Sequence, residues 1–92
     1  MYTLKFEWDP EKARANLAKH GISFEVGITV WDDPVFLDIY DAAHSQLEHR
    51  YLRIGQSDVG VLVVVYTMRD DIYRIISARK ADRMERKLYY EA

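Results

Sequence analysis

Three strand-like segments joined by very short connections constrain the fold of this chain more than any other feature of its sequence. Arg50 to Gly55 alternates polar with apolar residues, Val61 to Thr67 is nearly all apolar, and Ile72 to Ala78 follows after one short turn. A continuous apolar run is typical of a central strand covered on both faces. Connections this short join antiparallel neighbours. The sequence therefore predicts an antiparallel meander centred on Val61 to Thr67.

The N-terminal part predicts a strand followed by a helix. Thr3 to Trp8 alternates, which is typical of a half-buried strand. Asp9 can cap a helix from Pro10 to about Lys19, because its carboxylate accepts from free N–H groups of the first turn. Gly21 can take the left-handed conformation that ends such a helix.

The remaining segments complete an α+β domain that spans residues 1–92. They are a second helix from Ser23 to about Asp32, a strand over Val35–Tyr40, a polar loop over Asp41–Glu48, and a last helix capped by Asp82. The predicted order is β-α-α-β-β-β-β-α. A small twisted antiparallel sheet with helices packed against it satisfies this order.

Composition restricts the chemistry open to the chain. It has no cysteine, which excludes disulfides, thiolate nucleophiles and cysteine-based zinc sites. Its longest apolar run, Val61 to Tyr66, is far too short to cross a membrane. We expect a soluble cytoplasmic protein.

Charge is unevenly distributed along the chain. Residues 1–48 carry four basic and nine acidic side chains, whereas residues 49–92 carry nine basic and six acidic ones. The second half therefore suits an anionic partner, either nucleic acid or an acidic protein. Attraction between the two halves within the fold explains the same asymmetry, and composition does not separate these interpretations.

Positive charge is concentrated where the last predicted strand meets the last helix. Arg79 and Lys80 lie just before a helix N-terminus, whose N–H groups also attract anions. Strand alternation predicts Arg79 on one face of the sheet and Arg74 on the other. Arginine forks suit phosphate and tyrosine rings suit bases. A solvated surface with internal pairs to carboxylates such as Glu85 is the alternative. The other candidates for binding a nucleic acid are Arg50, Arg53, Arg69, Arg83 and Tyr89.

The histidines form no recognised metal-binding pattern. His20 precedes the helix-ending glycine, where a positively charged ring interacts favourably with the helix dipole. His44 and His49 flank the polar loop, and either can serve as an acid or base if that loop folds over a substrate. We expect no metal and no cofactor.

Four segments resemble the BrnT-type toxins of bacterial type II toxin–antitoxin systems. They read KFEWDPEKARANLAKHGISFEVG (Lys5 to Gly27), RYLRIG (Arg50 to Gly55), LVVVYTMR (Leu62 to Arg69) and YRIISARKADRMERKLYY (Tyr73 to Tyr90). The resemblance follows the family's order and spacing over nearly the whole chain.

This resemblance implies a RelE-like fold and a metal-independent endoribonuclease that arrests translation. It also implies a BrnA-type antitoxin with a ribbon-helix-helix domain, so that DNA is contacted only through the antitoxin. A nucleic-acid-binding or protein-interaction module that does not cut RNA is the alternative.

The site hypothesis rests on the basic residues. Arg79 contacts the scissile phosphate, Arg74 or Lys80 assists, and His20 is the preferred acid–base group because it lies in the KHG motif. Arg50, Arg53 and Arg69 guide RNA. The hypothesis requires these guanidinium groups to face an open hollow rather than to be scattered or engaged by carboxylates.

Overall fold

The computed structural model describes residues 4–92, which have an α+β fold, as predicted. In chain order the elements are β1 (Phe6–Glu7), α1 (Pro10–His20), α2 (Phe24–Gly27), a 3₁₀ turn (Ile28–Asp32), β2 (Leu37–Tyr40), a second 3₁₀ turn (Ala42–His44), β3 (Tyr51–Ser57), β4 (Gly60–Arg69), β5 (Ile72–Lys80) and α3 (Arg83–Glu91). The first predicted strand starts at Thr3, which lies outside the described residues.

The five strands form one mixed sheet in the order β1-β5-β4-β3-β2. Strands β2 to β5 form the predicted antiparallel meander, with β4 at the centre. The sheet is not antiparallel throughout, because β1 pairs with β5 in parallel. Between β1 and β2 the chain passes through two helices and crosses from one sheet edge to the other, so no tight turn fixes the direction of β1.

Local sequence signals set the helix ends. The Asp9 carboxylate accepts from the N–H of Glu11 at 2.9 Å, and Gly21 ends α1 at a φ of 72°. Asp82 and Glu85 form a reciprocal capping box at the start of α3. The predicted second helix is shorter than expected, since α2 gives way to a 3₁₀ turn after Gly27.

The two faces of the sheet are covered to different extents. One face, called here the helix face, packs against α1, α2 and the first 3₁₀ turn around a core that includes Phe24, Val30 and Leu62. The opposite face carries Val63, Val65 and Thr67 of β4 and is called here the open face. Among residues 4–92, α3 is the helix that packs on this face. Its Tyr89 packs at the end of the sheet where β4 begins.

Candidate functional site

A β-bulge in β5 decides which basic residues share a face of the sheet. Val65 pairs with Ser77 and Tyr66 pairs with Ile75, so Ile76 is an extra residue in β5. Such an extra residue shifts the alternation of side chains by one position.

The bulge places Arg74 and Arg79 on the same face. Arg79 lies opposite Val63 and Arg74 lies opposite Thr67, and both partners belong to the open face. Regular alternation had predicted opposite faces, and that prediction is wrong because it assumed an uninterrupted strand. Arg69 joins the open face as the neighbour of Ile72.

Arg79 is held by the first turn of α3. Two of its guanidinium nitrogens donate to the two carboxylate oxygens of Glu85, each at 2.7 Å. These hydrogen bonds raise the pKa of Arg79 and lower the pKa of Glu85. The backbone N–H of Asp82 also donates to Glu85, at 2.9 Å. The internal ion pair expected of a solvated surface is therefore present, so Arg79 does not meet the requirement that its guanidinium be free of carboxylates. About a third of the Arg79 side chain remains exposed.

Arg74 has a weaker acidic neighbour. Its guanidinium lies 3.5 Å from the carboxylate of Glu7, which is its direct neighbour in the parallel pairing of β1 with β5. Both side chains are partly exposed, so water screens this contact. The sequence did not single out Glu7, because only the parallel pairing of β1 brings it to this position.

Arg50 and Arg69 meet at the far end of the open face, beside the loop that precedes β3. Both approach the same carboxylate, that of Glu48, at 3.7 Å and 3.2 Å respectively. Together with His44 they line a cavity of about 510 Å³. The structure therefore brings these two predicted RNA-binding residues close together, and an acidic and an imidazole side chain line the same cavity.

Arg53 lies inside the domain, on the helix face. It is 6% exposed and donates twice to Asp38, each time at 2.8 Å. Its guanidinium carbon lies 3.9 Å from the ring centre of Phe36 and 4.5 Å from that of Trp31. Tyr66 donates to the same carboxylate, and burial together with this bond raises the pKa of Tyr66. Arg53 is thus separated from the other predicted RNA-binding arginines.

His20 and Lys80 lie away from the centre of the open face. Lys80 pairs with Leu62 on the helix face and is exposed. His20 lines a shallow cavity of about 220 Å³ that reaches Ser77 at the edge of β5. Asn16 fixes α1 along this edge, since its amide bonds both the N–H and the carbonyl of Ala78. His20 therefore borders the open face rather than lying on it.

The two predicted residues of α3 have different surroundings. Arg83 is exposed. Tyr89 donates its hydroxyl to Asp33, a hydrogen bond that raises the pKa of Tyr89 to about 12. The buried Asp33 carboxylate also accepts from the N–H of Gln56 at 2.7 Å and that of Val35 at 2.9 Å, and its pKa is lowered although burial opposes this. The Tyr89 hydroxyl is thus engaged in anchoring α3.

Residues 4–92 contain no group of three or more histidine, aspartate or glutamate side chains placed to hold a metal ion. None of the helices in this range is both long and apolar enough to cross a membrane.

Comparison with known protein families agrees with the resemblance seen in the sequence. No curated protein sequence matched the chain. The family model described as "Ribonuclease toxin, BrnT, of type II toxin-antitoxin system" matches residues 8–85, which include α1, the whole meander and the start of α3. Because the match covers most of the 92 residues, the chain belongs to the BrnT family of ribonuclease toxins of type II toxin–antitoxin systems.

Proposed function

We propose that this protein is a metal-independent endoribonuclease that cuts RNA on the open face of its sheet and thereby arrests translation. The observation that carries the proposal is the Ile76 bulge, which places Arg74 and Arg79 on the face that the first two helices leave uncovered. Guanidinium groups held on a sheet are preorganised to stabilise the charge of a phosphoryl transition state.

The proposed reaction is attack of a ribose 2′-hydroxyl on the adjacent phosphorus. The 2′-oxygen–phosphorus bond forms while the bond to the 5′-oxygen breaks, which leaves a 2′,3′-cyclic phosphate and a free 5′-hydroxyl. A base accepts the proton of the 2′-hydroxyl, and an acid returns a proton to the departing 5′-oxygen. We propose His20 for acid–base transfer, from its position beside Ser77 at the edge of the open face.

Arg79 is the proposed contact of the scissile phosphate. A phosphate offers the same pair of acceptor oxygens as the Glu85 carboxylate, so RNA can replace Glu85 on the Arg79 fork. One well-aimed donor contributes about 3–4 kcal/mol to such a transition state. Arg74 is the better candidate than Lys80 for the assisting group, because Lys80 projects from the helix face.

The antitoxin that the family implies is proposed to be of the BrnA type, with a ribbon-helix-helix domain that contacts DNA on behalf of the complex. We propose that it docks on the open face in the cytoplasm. Half-buried Leu52 and Val65 lie on this face beside the arginines. An acidic amphipathic segment would cover both kinds of group and exclude RNA.

One observation favours a second candidate, a protein that binds RNA without cutting it. Both terminal nitrogens of Arg79 donate to Glu85, so RNA binding must break this pair before the arginine can contact a phosphate. In this alternative the exposed cations supply salt-sensitive affinity and the RNA remains intact.

Expression of Arg79→Ala in cells without the antitoxin separates these functions. We expect the wild type to arrest growth and to fragment RNA in the presence of EDTA, and Arg79→Ala to do neither while remaining folded and able to bind the antitoxin. Arg14→Ala is the matched control, because Arg14 is an exposed arginine of α1 that is also paired with a glutamate, Glu11. Unchanged toxicity of Arg79→Ala would contradict the assigned role, and intact RNA with the wild type would favour binding alone.

A further inference from the structure

We propose that the cavity beneath the loop before β3 is a binding subsite for a phosphate of the RNA strand, remote from the phosphate that is cut. The cavity measures about 510 Å³ and is lined by His44, Gln46, Leu47, Glu48, Arg50 and Arg69. The inference rests on the proposed function for its ligand, RNA, but it concerns a different part of the open face.

The guanidinium groups at this cavity are less engaged than those of Arg53 and Arg79. Arg53 and Arg79 each make two hydrogen bonds of 2.7–2.8 Å to one carboxylate. Arg69 makes one bond of 3.2 Å to Glu48, and Arg50 stays 3.7 Å from the same carboxylate, beyond hydrogen-bond range. Two guanidinium groups thus share one carboxylate, and neither forms a two-bond pair with it.

Arg50 is the stronger indication of a missing acceptor. Its Nε is buried and has no hydrogen-bond partner in residues 4–92. A buried donor left without an acceptor destabilises the fold. Because the Arg50 side chain is about a third exposed and lies beyond hydrogen-bond range of Glu48, its terminal guanidinium nitrogens can donate to an incoming phosphate.

The wall of the cavity is fixed by hydrogen bonds within the loop. The Ser45 hydroxyl donates to the carbonyl of Asp41 at 2.5 Å and accepts from the N–H of Arg50 at 3.0 Å. The Thr67 hydroxyl donates to the carbonyl of His49 at 2.6 Å and so attaches the loop to β4. Nδ1 of His44 lies 2.9 Å from the Asp41 carboxylate, which orients the ring at the cavity margin. Because this wall is already ordered, binding of a ligand loses less conformational entropy.

The arginines of the open face favour a polynucleotide as the occupant. Arg79 lies opposite Val63, Arg74 lies opposite Thr67, and Arg69 ends β4, so the guanidinium groups follow one another along the strand. The six residue-to-residue steps from Val63 to Arg69 span about 20 Å. A stacked strand advances about 3.4 Å per nucleotide, so about six nucleotides separate the cavity from Arg79. A polynucleotide, with its repeated phosphates, is long enough to reach both ends.

Oligoribonucleotides that cannot be cut test this subsite directly. A 2′-O-methyl ribose lacks the attacking hydroxyl, so binding is measured without cleavage. Fluorescence anisotropy compares a labelled trinucleotide, too short to span the face, with a labelled decanucleotide. For Arg50→Gln/Arg69→Gln we expect the decanucleotide Kd to rise about tenfold and its salt slope to shrink by about 0.7, from one lost phosphate contact. The trinucleotide Kd should stay within about twofold of the wild type.

Arg14→Gln is the control, since it removes an exposed positive charge from α1. It should leave the decanucleotide Kd close to that of the wild type. Glu48→Gln removes the competing carboxylate and should tighten decanucleotide binding. This variant retains both arginines and so tests the subsite even if the double glutamine variant does not fold.

Three results overturn the proposal: equal decanucleotide affinity of the wild type and the Arg50/Arg69 variant, equal losses for the two oligonucleotides, or no tightening in Glu48→Gln. Cleavage of unmodified RNA by the wild type is recorded separately. Failure to cleave would remove the nuclease proposal, and the decanucleotide measurements would still decide on the subsite.

Discussion

Replacing Arg53 with methionine is expected to destabilise the fold, and to affect RNA only through that loss. The methionine keeps much of the volume of the side chain but removes both hydrogen bonds to Asp38 and the contacts with the Trp31 and Phe36 rings. Asp38 would retain the bond from Tyr66 and lose its only guanidinium partner among the contacts described in residues 4–92.

The magnitude follows from the burial of the two partners. Removing one member of a fully buried ion pair costs about 3–5 kcal/mol. The Arg53 side chain is 8% exposed but that of Asp38 is 30% exposed, so water solvates part of the remaining charge. We therefore expect a loss of about 2–3 kcal/mol in the free energy of unfolding. In a domain of this size that corresponds to a fall in Tm of about 10–20 °C.

Urea unfolding followed by far-UV circular dichroism measures this loss without relying on Trp31 fluorescence, which the substitution itself changes. Asp38→Asn in the same chain should restore part of the stability, because no unpaired carboxylate then remains. RNA binding by the Arg53→Met protein that remains folded should match the wild type. An unchanged unfolding midpoint combined with lost RNA binding would refute this reasoning and would restore the RNA-guiding role predicted from the sequence.

Two further predictions concern other contacts of the sheet. The Arg79 guanidinium holds the pKa of Glu85 below its usual value, so the pair stabilises the protein above about pH 5 and this contribution is lost as the pH falls through the lowered pKa. In urea unfolding, Glu85→Gln should therefore lose less stability than the wild type between about pH 5 and pH 3, and parallel pH profiles would contradict the pairing. Gly55→Ala should lower the free energy of unfolding by about 1–3 kcal/mol, and Tm with it, because the new Cβ would lie 2.6 Å from Cγ1 of Val30. Adding Val30→Ala should recover part of that loss, and strictly additive costs would argue against the clash.

Local patterns in the sequence predicted the α+β class, the meander, both ends of the first helix and the start of the last helix correctly. The aspartate before the first helix, the glycine after it and the Asp82–Glu85 capping box act over a few residues, so they are readable without tertiary information. The second helix was predicted too long. Gly27 packs where a Cβ would lie 3.0 Å from that of Ala78, a constraint from a distant strand that no local pattern contains.

The sequence by itself determined that the chain carries many arginines around a buried central strand and that it has the features of a toxin family. The tertiary structure decided what each arginine faces. One extra residue in β5 places Arg74 on the same face of the sheet as Arg79. The pairing of β2 with β3 buries Arg53 against Asp38. The fold of one loop places Arg50 and Arg69 around Glu48. Side-chain alternation is a property of regular strands, whereas bulges and charge pairing depend on neighbours that are remote in sequence.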